Sequence, residues 1–248
     1  MLISAISHLD SFVSPSGLSS PSRRQRPLLV ELAGVAGAGK SALSRALHRR
    51  DPAVRAGFQI WQLPHPWLLA NGLFCLPTLL RCWRACQWSC REEANHILRL
   101  HTLSWWLSLE SSKGYKTLPM EEGAVYVLAW LYAFGHDGAR SRCMERWWRA
   151  ALQRWAATLD VIIWLDAPDA VLAQRIRTRN ESHPYANWAD RPLYEFFARW
   201  RAGYQHVVSQ LTEAHGPRVM RFATDQESTD RIADRILCEL VNPQAKPR

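Results

Sequence analysis

The stretch Pro27-Leu-Leu-Val-Glu-Leu-Ala-Gly-Val-Ala-Gly-Ala-Gly-Lys-Ser-Ala-Leu-Ser44 decides the fold. Leu28 to Ala33 is an apolar run of strand length, and helical periodicity begins at Lys40. Between them Gly34, Val35, Ala36, Gly37, Ala38, Gly39, Lys40 and Ser41 spell the complete pattern G-x-x-x-x-G-K-S/T between a strand and a helix. Three glycines and small neighbours let the loop wrap tightly, so that successive backbone N–H groups point at phosphate oxygens. The N-terminus of the next helix adds its positive dipole end, with Ala42 in the first turn completing the phosphate-facing set. Lys40 supplies a mobile charge for the terminal phosphates, and the Ser41 hydroxyl is placed to hold Mg²⁺.

A chain of 248 residues, 48% of them hydrophobic, is long enough for one large α/β domain. Lys and Arg number 31 against 22 Asp and Glu, a formal charge of +9 that suits polyanionic ligands without choosing among them. No aromatic-interleaved basic strand or nucleic-acid module accompanies the charge, so nucleic acid is not an expected partner. Cys82, Cys86 and Cys90 recur every fourth residue and read as a buried helical stripe rather than a zinc site. With no basic-then-apolar leader and several free thiols, the expected compartment is the cytoplasm. Thirteen tryptophans, many between Trp83 and Trp155, point to an aromatic substrate lobe or to a face for peripheral membrane or protein contact.

Taken in order, Met1 to Arg26 is a Ser/Pro-rich basic leader, residues 27–241 form the domain, and 242–248 are a tail. The helix from Ser41 ends at about Arg50. Phe58 to Leu63 reads as a second strand, stopped by Pro64-His65-Pro66, and Trp67 to about Ser112 is a helical lobe broken near Pro77. Tyr115 to Met120 is a third strand despite Pro119. Helices follow at Ala124–Phe134 and about Ser141–Thr158, and Val161 to Leu165 is the clearest strand of all. A helix bearing Arg175, Arg177 and Arg179 opens into a polar loop, Asn180 to Pro192. After it come a long helix from Leu193, the strand Arg218–Phe222, and a last helix capped by Ser228 or Thr229. Strands alternating with helices make a doubly wound, five-stranded parallel sheet with its ligand beyond the strands' C-terminal ends.

Such a site needs an acid at a strand end near the phosphate loop. Asp166, after Val161–Leu165, and the pair Glu121-Glu122 compete on equal terms. His65 sits where an acceptor would bind, or is a plain loop histidine. Arg175 and Arg179, four apart, share a helical face from which Arg177 points away.

The phosphate loop, the strand-end acid, Leu165-Asp166-Ala167-Pro168, the arginine-bearing helix and the terminal strand–helix stand in the order seen in P-loop kinases. The chain resembles the thymidylate kinase-like and deoxynucleoside kinase-like group over about Pro27 to Val241. The resemblance implies the P-loop NTPase type of sheet, ATP and Mg²⁺ as cofactors, and a dimer. It makes Glu121 the catalytic acid and a partner of Mg²⁺ alongside Ser41, with Glu122 in reserve and Asp166 demoted to structure. It makes residues 67–112 the acceptor lobe and about 175–192 a lid whose Arg175 and Arg179 act on the phosphates. Thymidylate kinases follow the acid with an arginine that grips a monophosphate. Here that place holds Glu122, which would repel one. The reading is therefore an ATP- and Mg²⁺-dependent kinase of a small-molecule acceptor, an alcohol or a phosphate, with Glu122 counting against a nucleoside monophosphate and opening the way to an unphosphorylated alcohol. The other class considered is a nucleotide-binding regulatory protein with slow ATP hydrolysis.

Overall fold

The computed structural model describes residues 26–73, 91–135, 142–179, 183–213 and 216–241. Its strands are β1 (Leu28–Ala33), β2 (Phe58–Gln59), β3 (Thr117–Glu122), β4 (Val161–Asp166) and β5 (Arg218–Ala223). They form one all-parallel sheet in the order β2-β3-β1-β4-β5. The helices are α1 (Lys40–Arg50), α2 (Arg91–Glu110), α3 (Ala124–Phe134), α4 (Arg142–Thr158), α5 (Asp169–Arg177), α6 (Asp190–Glu213) and α7 (Thr229–Val241). Residues 65–73 are also helical. The expected doubly wound α/β architecture is present.

β1 and β4 are almost wholly buried apolar runs because helices cover both faces of a parallel sheet. α3, apolar nearly all round, lies between the sheet and α6 and is accordingly buried along most of its length. The strand order reverses at β1, flanked by β3 on one side and β4 on the other. The loop after β1 therefore opens into the crevice at the carboxyl edge of the sheet.

Several boundaries differ from those expected. β2 keeps only two of six residues, because Ile60 to Gln62 turn into a 3₁₀ segment closed by a reciprocal bond pair between Gln59 and Gln62. β3 starts at Thr117 and runs through Glu122, placing both glutamates inside the strand. Pro119 is tolerated there because it faces the weak side of the sheet. Thr117 turns its N–H and C=O toward Ala53 and Arg55. Alternation gives Pro119 the same side, and ordered pairing with β2 begins only at Met120. Arg26, counted with the leader, belongs to the domain: its guanidinium grips Asp160 at 2.8 and 3.0 Å. The cysteine stripe, residues 1–25 and the tail lie outside the described residues.

Much of the tryptophan cluster is core rather than surface. Trp155 is buried, and Trp106 stacks on Phe58 at 3.7 Å under the Arg55 guanidinium. Trp148 donates to Gln210, while Trp105 is half exposed and Trp83 and Trp88 are not described. No described helix is long and apolar enough to cross a membrane.

One buried carboxylate ties the sheet together. Glu31, within β1, accepts from the backbone N–H groups of Gly123 (3.2 Å), Val125 (2.9 Å) and Tyr126 (2.9 Å), and so caps α3 from a neighbouring strand. A Cβ at Gly123 would sit 2.8 Å from a Glu31 oxygen, so a side chain there would displace the carboxylate. Burial pushes the Glu31 carboxyl up to about 7 against the opposing pull of the amides. A carboxyl raised in the folded state binds its proton more tightly there than in the unfolded chain. Its contribution to stability is therefore greatest below the ordinary value of 4.5 and is lost as pH rises through about 7. Thermal melts from pH 4.5 to 7.5 should show this downward slope, and Glu31→Gln should flatten it. An unchanged slope would mean that Glu31 titrates normally.

Candidate active site

The phosphate loop follows from positive φ at Gly34 (145°), Gly37 (82°) and Gly39 (93°), conformations closed to most side chains. A Cβ on Gly34 would also lie 2.3 Å from the Leu165 carbonyl, so the loop is pressed against the end of β4. Gly39 precedes α1, whose first turn carries no acidic side chain and whose N-terminus has no side-chain cap. Its leading amides are thus left to an external acceptor. Ala36, Gly37, Gly39, Lys40, Ser41 and Ala42 line a cleft of about 290 Å³. Gly34, Val35 and Ala38, the other loop residues expected to bind the phosphates, are buried and are not among those that line it.

Lys40 is placed differently from a free phosphate-loop lysine reaching into solvent. Its Nζ donates to the carbonyls of Gly34 (2.7 Å) and Val35 (3.1 Å). Burial lowers its pKa, partly offset by the charges of Glu122 and Glu121. The ammonium is held folded back on its own loop, within reach of an incoming anion.

The candidate acids have different partners. The Ser41 hydroxyl donates to Glu121 Oε2 at 2.5 Å, and Gln59 Nε2 approaches the same oxygen at 3.4 Å. Glu121 and Glu122 both line the cleft. Burial raises the Glu122 carboxyl, opposed by the charge of Lys40 and by a hydrogen bond from Trp61. Asp166 is engaged elsewhere: Arg201 donates to both of its oxygens (2.9–3.1 Å), and Asp166 Oδ1 accepts from the Ala167 N–H. Arg201 also grips Asp169 and the Ala167 carbonyl, pinning α6 to the end of β4.

Arg175 and Arg179 both line the cleft, but α5 ends at Arg177, so Arg179 reaches it from the loop rather than from a shared helical face. Arg175 is braced by Thr224 through its hydroxyl and carbonyl, both at 2.8 Å. Arg177 faces away and pairs with Asp190 and the Trp188 carbonyl, fastening the described part of the loop to α6. A second cleft of about 230 Å³ shares Gly39, Ala42 and Arg175 with the first and is otherwise walled by Leu43, Leu165, Thr224, Thr229 and Ile232. His65 is exposed at the start of the helical residues 65–73 and does not line the main cleft. Sequence reading passed over Arg45, Gln59 and His183, which do. Arg45 carried a usable signal, lying four residues beyond Ser41 on the same helix face.

No protein-family model matches the chain, and no curated protein matches it. Solved structures do, at low identity. A thymidylate kinase from Candida albicans shares 12% identity over 88% of this chain and 93% of its own, with a TM-score of 0.56. A deoxyadenosine kinase from M. mycoides with bound dATP matches with 13% identity over 87% and 100%, at 0.52. The YorR protein of Bacillus subtilis, in complex with phosphorylated GDP, matches with 15% identity over 89% and 99%, at 0.51. The chain has the P-loop kinase fold.

The Asp166–Arg201 pair is partly exposed, so its coupling should be modest, about 1 kcal/mol despite the bidentate geometry. A double-mutant cycle of Asp166→Asn and Arg201→Met, followed by denaturant unfolding, should recover it. Strict additivity would show that Asp166 is held by something else.

Proposed function

We propose that this protein is an ATP- and Mg²⁺-dependent kinase that transfers the γ-phosphoryl group to the hydroxyl of a small, unphosphorylated acceptor. The observation that carries the reading is the convergence in one cleft of a cap-free helix N-terminus, Lys40, the Ser41–Glu121 pair and two arginines. The kinase folds of its structural neighbours support it.

The triphosphate lies along the loop amides, with Lys40 exchanging its two carbonyl contacts for phosphate oxygens. The base enters the adjoining cleft between Arg175 and the apolar side chains of Leu43 and Ile232. Ser41 and Glu121 offer two hard oxygens side by side, a donor set that fits Mg²⁺, with Glu121 reaching it directly or through water. When bound, the ion would neutralise charge on the terminal phosphates. Glu121 orients the acceptor hydroxyl. As that oxygen bonds to the γ-phosphorus and the bridge to the β-phosphate breaks, its proton passes to the Glu121 carboxylate. Arg175 and Arg179 meet the charge spread over the transferring group.

Lys40→Ala should reduce ATP turnover by about 10²-fold or more while the protein stays folded, since little but two loop contacts is lost. Full turnover in the folded variant would remove the kinase reading. Glu121→Gln should abolish transfer and spare most of the nucleotide affinity, whereas Asp166→Asn should cost stability and leave kcat within a few-fold. Steady-state rates beside melts separate the two acids. The reverse pattern would return catalysis to Asp166.

A further inference from the structure

Ser44 lies one helical turn beyond Ser41 on α1, wholly buried, and its hydroxyl has no hydrogen-bond partner among the described residues. Alanine would suit that place better on two counts, being the stronger helix former and bringing no polar group to bury. What stands beside the hydroxyl is the Glu121 carboxylate. Gly57, just before β2, has no Cβ, and one built there would fall 2.0 Å from Ser44 Oγ and 2.3 Å from Glu121 Oε1. Two oxygens that near to one point are separated by no more than the sum of those distances, a gap only slightly longer than a hydrogen bond. The backbone around Gly57 is held from both sides: the Arg55 N–H donates to the Thr117 carbonyl, and Phe58 pairs with Met120. A side chain at Gly57 would therefore displace the carboxylate and the hydroxyl rather than the chain. The two carboxylate oxygens are also unequally served. Ser41 and Gln59 both address Oε2, and Oε1 is the oxygen beside Gly57 and Ser44.

We infer that Ser44 is a positioning residue for Glu121: its hydroxyl donates to Oε1 when the nucleotide site is filled, and the bare Cα of Gly57 leaves room for that contact. The inference rests on the kinase reading, and neither Ser44 nor Gly57 lines the cleft itself. Ser41 has a single hydroxyl with two claims on it, from Glu121 in the empty site and from Mg²⁺ in the filled one. Ser44, buried behind the cleft lining, has no second claim. A carboxylate held at both oxygens cannot turn about its last bond, and an acid that must orient an acceptor hydroxyl needs that restraint. The contact closes by rotation of the serine side chain or a small turn of the carboxylate, and neither moves the backbone. The unpaired hydroxyl thus destabilises the empty protein and stabilises the filled one.

Thermal melts of the full chain, beside titrations with Mn²⁺ at saturating ADP followed by the spin-resonance signal of the free ion, test this without depending on turnover. Ser44→Ala should leave the empty protein as stable as the parent or raise its Tm, because only an unpaired hydroxyl is removed. The same variant should weaken Mn²⁺ binding by about tenfold, the usual size of effect when a group that orients a metal ligand is lost. In the Glu121→Gln background Ser44→Ala should change nothing further, since it acts through that carboxylate. An unchanged Mn²⁺ affinity, a loss that persists in full beside Glu121→Gln, or a lower Tm of the empty Ser44→Ala protein would each overturn the assignment. ATP turnover measured in parallel keeps the two readings apart. Coupling of Ser44 to Glu121 in a protein that turns over no ATP would overturn the kinase function alone. Turnover with an ion affinity indifferent to Ser44 would overturn the positioning role alone, and a parent protein that binds no Mn²⁺ with ADP would overturn both.

Discussion

A single carboxylate buried in the central strand holds the two halves of the site in register. Glu31 lies three residues before the phosphate loop and reaches across to the backbone where β3 becomes α3. Its three amide contacts fix the turn directly after Glu121-Glu122, and a side chain at Gly123 would displace it. The strand carrying the phosphate loop and the strand carrying the acids are therefore joined twice, by the sheet ladder and by a cap. The cost is a carboxyl group out of water, offset by helix-dipole and amide contacts.

From that frame the cleft acquires its polarity. On one side the positive φ glycines and the open end of α1 make a nest for anions, with Arg175, braced by Thr224, and Arg179 beside it. On the other, Glu121 and Glu122 present carboxylates beside Gln59. Asp166, the acid that an apolar strand run makes most conspicuous, pairs with Arg201. It fastens α6 to the sheet instead.

The packing also redistributes what composition suggested. A high tryptophan count reads as a binding face, yet Trp106 and Trp155 are core and Trp148 is tied to α6.

What the sequence determined by itself was everything local. The glycine spacing of residues 34–41 dictates the loop, and the apolar runs at Leu28 and Val161 dictate buried strands. Their alternation with helical segments dictates the doubly wound sheet. Those signals depend on a residue and its near neighbours, so they survive in one dimension. Only the tertiary structure decided that Lys40 folds back on its own carbonyls, that β2 turns after two residues and that Arg179 leaves its helix before reaching the cleft. It also decided which acid meets Ser41, because Glu121 and Asp166 look alike at the ends of their strands. What separates them is Arg201, thirty-five positions from Asp166, and Ser41, eighty from Glu121. A charge is assigned its role by the partner it meets, and the meeting is made by strand order.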